Sequence, residues 1–265
     1  MNIYKSLNNI TKYIDDNLDK EISYETMAKI IGVNIFTLQK IFSLLTNVSL
    51  ADYIRKRKLS VAGADIYTNK LKVMEAAIKY GYESATSFSR AFELFHKVKP
   101  SLVTKQSTLV EFPRIVFDEN QKITSTMAYE IVELSELNLF GKYITTTNLT
   151  IENDAPNFFQ NFRKKYEEEY GEPQYGMITY SNPCREECEQ YYVLYDKEIT
   201  GFEKVDITSG KWLRFRINSQ EATDIRDMSQ KFYIDFLPSC KYNLRDIYEL
   251  EYYHDGVTDF LVPIC

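Results

Sequence analysis

Residues 27–48 read MAKIIGVNIFTLQKIFSLLTNV, and residues 76–98 read AAIKYGYESATSFSRAFELFHKV. Laid over one another at an offset of 49 to 50 residues, they match Ala28 with Ala77, Gly32 with Gly81, Leu38 with Phe88, Phe42 with Phe92 and Val48 with Val98. That is an internal repeat. Each copy carries a small alanine where two helices can cross, then a glycine able to take a positive φ. A short polar N-cap and apolar residues at helical spacing follow. The pattern predicts helix, tight turn, helix, twice over.

The second helix of each copy has one apolar face, and a helix-turn-helix lays the opposite face in a DNA major groove. The faces expected to be free are Phe36, Thr37, Gln39 and Lys40 in the first copy, and Ala85, Thr86, Ser89 and Arg90 in the second. Lys40 and Arg90 share one repeat position, where a basic side chain suits guanine edges or phosphate. Gln39 has the paired donor and acceptor that suit adenine. A plain helical bundle with solvated faces is the alternative reading.

Upstream, Tyr4, Leu7, Ile10, Tyr13 and Ile14 form a helical stripe, and Ser23 caps the next helix with Glu25 in its first turn. Between the repeats, Ser49 or Leu50 to Tyr67 reads as one long helix carrying Arg55-Lys56-Arg57-Lys58. Four consecutive residues exceed one helical turn and cannot share a face, so Arg55 or Arg57 is the candidate for phosphate. Gly63 costs that helix roughly 1 kcal/mol against alanine, which a close helix crossing explains.

Charge separates the two halves. Residues 1–112 hold 16 Lys/Arg and 11 Asp/Glu, a net of +5; residues 113–265 hold 16 and 27, a net of −11. The overall charge of −6 therefore hides a basic half and an acidic half with different partners. No stretch has the roughly 18–20 apolar residues of a membrane span, and the first residues lack the apolar run of a signal peptide, so a cytoplasmic location is expected. Cys184, Cys188, Cys240 and Cys265 fit reduced thiols there.

The run YIRKRKLSVAGADIYTNKLKVMEAAIKYGYESATSFSRAFELFHKVKPS resembles the DNA-binding region of the AraC/XylS transcriptional regulators. The likeness is carried by Tyr53, Arg57, Leu59 and Ala62, by Ala77 to Ser84, by Phe88 to Phe92 and by Pro100. It covers about residues 1–106 and implies an all-α unit of seven helices, whose two helix-turn-helices read successive major grooves of double-stranded DNA. Asn47 departs from the family's usual glycine, though asparagine also tolerates a positive φ. Ala76 replaces a larger aliphatic, and Ala85 stands where relatives carry a polar side chain.

From Ser107 to about Thr126 the helical pattern stops, which places a linker at 107–126. Beyond it, Ala128–Leu134, Leu139–Thr146, Tyr175–Tyr180, Gln190–Asp196, Lys211–Ile217, Ile247–Tyr253 and Phe260–Ile264 read as strands. Ala155–Tyr170 and Gln220–Phe236 read as helices, and Ser181-Asn182-Pro183 as a turn. An α+β domain with a central antiparallel sheet over residues 127–265 follows.

Fourteen of the 21 tyrosines and the one tryptophan fall in this acidic half. Tyrosines that turn inward need hydroxyl partners, which suits a pocket for a flat or cationic apolar molecule; an aromatic core with hydroxyls at its rim is the other reading. Glu251 and Tyr253 stand two apart on a strand and so share a face. A carboxylate among aromatics is costly unless paired, and a cation is its natural partner. Glu249 and Glu251 as a wet strand face is the plainer possibility.

YEIVELSELNLFGKY, GMITYSNP, SGKWLRF, FLPSCKY and LEYYHDG together resemble the GyrI-like small-molecule-binding domain. That resemblance implies a ligand site at Glu251 with Tyr253; a small apolar or cationic effector is expected there, with Tyr180 and Trp212 as neighbours. Some relatives of the fold are hydrolases, so hydrolysis by a comparable carboxylate is the alternative activity. With both resemblances in place, the expected partners are double-stranded DNA, the effector and RNA polymerase, with no membrane, and the chain acts on DNA as a monomer. No cofactor is expected. His96 and His254 lie in different domains and Cys184-x3-Cys188 lacks a nearby histidine, which indicates no metal site.

Overall fold

Short polar side chains open five of the six α-helices of the N-terminal half in the computed structural model, which describes residues 2–120, 127–180, 188–245 and 248–265. Asn2 accepts from the N–H groups of Tyr4 and Lys5 to start α1 (Ile3–Asp15), and Ser23 accepts from Thr26 to start α2 (Tyr24–Ile31). Asn34 accepts from the Thr37 N–H at 2.8 Å to start α3 (Ile35–Thr46), and Ser49 caps α4 (Leu50–Asn69). After α5 (Val73–Lys79), Ser84 caps α6 (Ala85–His96). Each such bond satisfies an amide that a helix start leaves open.

The turns repeat as the sequence does. Gly32 and Gly81 take φ of 76° and 75°, a region that costs glycine nothing. Asn47 and Lys97, fifty positions apart, close α3 and α6 with φ of 55° and 62°, so the asparagine takes the conformation glycine would. A single 3-10 turn, Pro100–Leu102, stands where a seventh helix is implied, because the chain then runs extended.

Two compact units are formed, 2–38 with 48–121 and 39–47 with 122–265; the division falls inside α3, so Gln39–Asn47 counts with the sheet. In the helical unit, Leu7, Ile10, Ile14, Met27, Leu38, Tyr53, Leu59, Ala62, Phe88 and Phe92 are buried. Gly63 permits the α4–α6 crossing, since a Cβ there would meet the His96 ring at 2.7 Å. Residues 107–120 of the expected linker are fastened along these helices. Val110 donates to His96 Nδ1 (3.1 Å), Phe112 to Ser60 Oγ (2.9 Å) and Phe117 to Asn8 Oδ1 (2.8 Å), while the Phe112 ring packs edge-on against Tyr53.

The sheet unit holds β1 (Glu130–Leu134), β2 (Leu137–Thr147), α7 (Ile151–Tyr170), β3 (Tyr175–Tyr180), β4 (Cys188–Tyr195), β5 (Glu203–Ile207), β6 (Gly210–Ile217), α8 (Ala222–Lys231), β7 (Tyr248–His254) and β8 (Val257–Ile264). One π turn, Phe232–Phe236, and a 3-10 turn, Leu237–Ser239, end the helical run that begins at α8. The eight strands lie in the order β1-β6-β8-β7-β3-β4-β2-β5, and every pairing is antiparallel.

The order is a doubled plan. Strand-strand-helix-strand-strand occurs twice, and the first strand of each copy crosses over to pair with the second strand of the other: β1 with β6, and β5 with β2. Strand β5 is absent from the sequence reading because its EKVDI offers two apolar residues among three charged ones and sits at a sheet edge. The predicted turn at 181–183, Cys184 and Ile247 lie outside the described residues. Helix α7 packs on β4 through Phe162 and Tyr195 (centroids 5.7 Å), and the run from α8 packs through Phe232 on Phe215 of β6 (5.6 Å) and Phe260 of β8 (5.8 Å).

Candidate functional site

Alternation along β7 sends Glu249, Glu251 and Tyr253 to one face of the sheet and Tyr248, Leu250 and Tyr252 to the other. Opposite Glu251 on β3 lies Gly176. A Cβ there would collide with the Glu251 carboxylate and the Tyr253 hydroxyl, so the missing side chain is what lets those two groups lie down on the sheet. Tyr253 donates to Glu251 Oε2 in a short hydrogen bond, and the Tyr191 hydroxyl stands 3.5 Å from that of Tyr253.

This floor belongs to a cavity of about 550 Å³, walled by Phe159 of α7, Ser229 of α8, and Ile178, Tyr191, Glu251 and Tyr253 of the sheet. Lys40 and Leu44, in the segment grouped with the sheet, also line it. Next to Glu251, Glu249 accepts from Tyr180 (3.2 Å), Ser229 (3.2 Å) and Tyr233. Glu189 on β4 is fully buried and paired with Lys40 Nζ at 3.0 Å; its Oε2 has no hydrogen-bond partner among the described residues. Lys40 Nζ stands 6.0 Å from the ring centroids of both Tyr180 and Tyr233.

The electrostatics are those of acids out of water. Burial pushes the Glu251 carboxyl up to about 7, opposed by the Tyr253 hydrogen bond and by Lys40, while Glu249 adds to the rise. Burial also raises the phenols of Tyr180, Tyr191, Tyr233 and Tyr253 well above their ordinary range, so they serve as neutral hydrogen-bond donors. At Lys40 burial works against the charge, but Glu189 and Glu249 outweigh it and hold the ammonium protonated.

Of the four expected ligand residues, the structure brings Glu251 and Tyr253 together at the floor and sets Tyr180 beside Glu249 on the same face. Trp212 is separated from them. Its register across Pro263 of β8 puts it on the other face with Leu250 and Leu261, where it is fully buried in the core with Met177 and Leu194. Glu189, Tyr191, Tyr233, Glu249 and Gly176 belong to the site and are not among the expected residues. The available signal was a carboxylate two residues before a tyrosine on a strand, which occurs at Glu189-Tyr191 as well as at Glu251-Tyr253.

For the expected DNA-reading faces, the second copy is open: Thr86 and Arg90 are exposed, and Ala85 and Ser89 half-buried. In the first copy Thr37, Gln39 and Lys40 are buried and Phe36 half-buried, and Lys40 is paired with Glu189. Arg55 is exposed and leans on Asp52, whereas Arg57 is drawn inward by Asp15 (2.9 and 3.0 Å) and the Phe112 carbonyl. Lys56 pairs with Asp52 (2.7 Å), and Lys58 donates to the Tyr80 carbonyl (3.2 Å). No single helix is long and apolar enough to cross a membrane among the described residues.

A family model described as a helix-turn-helix domain matches residues 27–106. The Tn10 transposon TetD protein of Escherichia coli is 34% identical over 95 residues, which is 36% of this chain and 69% of that protein. The regulatory protein SoxS of Escherichia coli K12 is 32% identical over 92 residues, 35% of this chain and 86% of SoxS. Among solved structures, a putative transcription regulation protein from Staphylococcus aureus MU50 aligns with a TM-score of 0.44 and 14% identity, covering 52% of this chain and 99% of that one.

Proposed function

This chain belongs to the AraC/XylS family of DNA-binding transcriptional regulators, and from that premise we propose that the cavity above Glu251 takes a small cationic effector with apolar bulk. The observation that carries this reading is the Glu251 carboxylate, 5% exposed, lying in a cavity where Phe159, Ile178, Tyr191 and Tyr253 supply apolar surface beside it and polar and charged side chains make up the rest of the wall. A buried carboxylate is costly until a cation meets it, and tyrosine faces add a second attraction for the same charge. Calorimetric titration of the full chain with tetrabutylammonium tests it. Binding that Glu251→Gln weakens tenfold or more is expected, and equal binding by both chains sinks it.

On DNA, the chain works as a monomer on an asymmetric promoter site. Thr86, Ser89 and Arg90 of α6 are the open base-reading set, with Arg55 on phosphate; Phe36, Thr37, Gln39 and Lys40 of α3 form the second set in a state that uncovers them. Two recognition helices in one chain can occupy grooves about 34 Å apart without a partner subunit. RNA polymerase is the protein partner in this reading. Footprinting should show protection over about two helical turns; protection of a palindrome by a strict dimer contradicts the monomer.

A second reading, hydrolysis of a small reactive molecule, is favoured by one observation: burial sets Glu251 at about 7, the range of a general base. Turnover in a hydrolase screen that disappears in Glu251→Gln would establish it. A chain that binds cations and turns nothing over leaves the effector reading alone.

A further inference from the structure

Three buried carboxylates, Glu189, Glu249 and Glu251, lie on one face of the sheet, and the cation whose charge bears on all three is Lys40. Its ammonium already makes the contacts a bound cation would make. A carboxylate oxygen stands at 3.0 Å, two tyrosine rings at 6.0 Å, and the side chain forms part of the cavity wall. The same lysine lies on the helix that follows the first turn of the repeat, at the position that Arg90 holds, exposed, in the second copy. A lysine side chain 5% exposed on Glu189 cannot at the same time reach a base edge or a phosphate. The two positions exclude each other.

We propose that Lys40 is the resident cation of this cavity, and that a cationic effector takes its place and thereby frees Lys40 for DNA. This rests on the effector reading above and adds the direction of the coupling: the effector raises DNA affinity. A cation entering at Glu251 beside Lys40 would meet its repulsion in a site shielded from water, whereas once Lys40 has left, the same cation also feels the charges of Glu189 and Glu249. Because the effector prefers the arrangement with Lys40 outside, it shifts the population toward that arrangement. DNA, by reciprocity, raises effector affinity by the same factor.

The test uses the full chain, tetrabutylammonium as the probe, and a duplex that the full chain selects from a random pool. Saturating cation should raise affinity for that duplex about tenfold, inside the roughly 5- to 150-fold span usual for coupled sites. Lys40→Met should bind the cation about tenfold tighter than the wild type and lose the response of DNA affinity to it. Glu189→Gln should bind the duplex without cation as tightly as the loaded wild type does. Since Lys40→Met leaves Glu189 buried without its partner, Lys40→Met combined with Glu189→Gln is measured alongside. Amine acetylation read by peptide mass spectrometry should find Lys40 protected in the empty chain and reactive in the loaded one.

Equal cation affinity in the wild type, Lys40→Met and the double variant overturns the proposal while leaving the Glu251 site standing. So does a Lys40 that stays protected when cation is bound. Failure of all three chains to bind the cation overturns the effector reading itself, and this proposal with it.

Discussion

A Cβ on Gly63 would stand 2.7 Å from both Cε1 and Nε2 of His96, so α4 and α6 touch with no room for a methyl group. Helix propensity alone favours Gly63→Ala by about 1 kcal/mol. Forcing the ring away costs about 1–3 kcal/mol in overpacking, and losing the 3.0 Å bond between His96 Nε2 and the Leu59 carbonyl costs about 1 more. The expected sum is a loss of about 1–3 kcal/mol. Urea denaturation followed by helical circular dichroism measures it, and a variant more stable than the wild type contradicts the crossing.

The same imidazole makes stability depend on pH. Nε2 donates to the Leu59 carbonyl while Nδ1 accepts from the Val110 N–H at 3.1 Å, an arrangement only the neutral ring can hold. Burial lowers the His96 pKa below 6.5 in the folded chain. The unfolded chain therefore takes up the proton first, so this contribution is complete above pH 6.5, declines as pH falls below it and levels off beneath the folded pKa. Melting temperatures from pH 7.5 to 5.5 should fall more for the wild type than for His96→Gln; parallel curves would refute the assignment.

Gly176→Ala should disable the cavity without unfolding the sheet. The added methyl group lands where the Glu251 carboxylate and the Tyr253 hydroxyl lie. Both must lift away from β3, and the methyl group takes up space at the floor. Tetrabutylammonium affinity should drop at least tenfold, as for a lost charged partner. Undiminished binding would mean the cation sits elsewhere in the cavity.

Much of this architecture is legible in the sequence where local chemistry decides the backbone. Gly32, Gly81, Asn34, Ser49 and Ser84 mark turns and caps because their conformational freedom or side-chain oxygens are needed at those positions. Alternation placed Glu251 and Tyr253 on one face. What is not legible depends on register between distant strands. Trp212 lies on the opposite face because of its partners Val132 and Pro263, and nothing within SGKWLRF discloses that. Likewise, the burial of Lys40 depends on Glu189, a residue 149 positions away. Strand β5 escapes notice because an edge strand needs few apolar residues.

Two arginines of the N-terminal half should respond differently to replacement. Arg57→Ala removes bonds to Asp15 and to the Phe112 carbonyl, leaving Asp15 half-buried without this partner. A loss of about 1.5–3 kcal/mol in stability is expected, by the scale of hydrogen bonds to charged groups. Arg90 is exposed, so Arg90→Ala should leave the denaturation midpoint unchanged and reduce discrimination between site and non-site DNA by about 1–3 kcal/mol. Competition binding at fixed salt reads this. If Arg90→Ala weakens both DNAs equally, Arg90 is a phosphate anchor and not a base reader.

Effector binding should itself depend on pH, through Glu251. Burial sets its folded-state value at about 7 against an ordinary carboxyl near 4.5, so around neutrality the empty cavity holds this acid part protonated. Between those two values the folded chain binds the proton and the unfolded chain does not, so Glu251 subtracts from stability as pH rises through that window. Ligand affinity moves the other way. A cation prefers the carboxylate, and below the folded pKa its binding must expel a proton, so affinity falls about tenfold for each unit of pH. Tetrabutylammonium titrations at pH 5.5, 6.5, 7.5 and 8.5 should show affinity rising steeply over the first interval and reaching a plateau above pH 7.5. Proton release should accompany binding at pH 6.5 and be absent at 8.5, which calorimetry in buffers of different ionisation enthalpy detects. Glu251→Gln should flatten the profile; a wild-type profile already flat across this range would show that Glu251 is not the group that meets the cation.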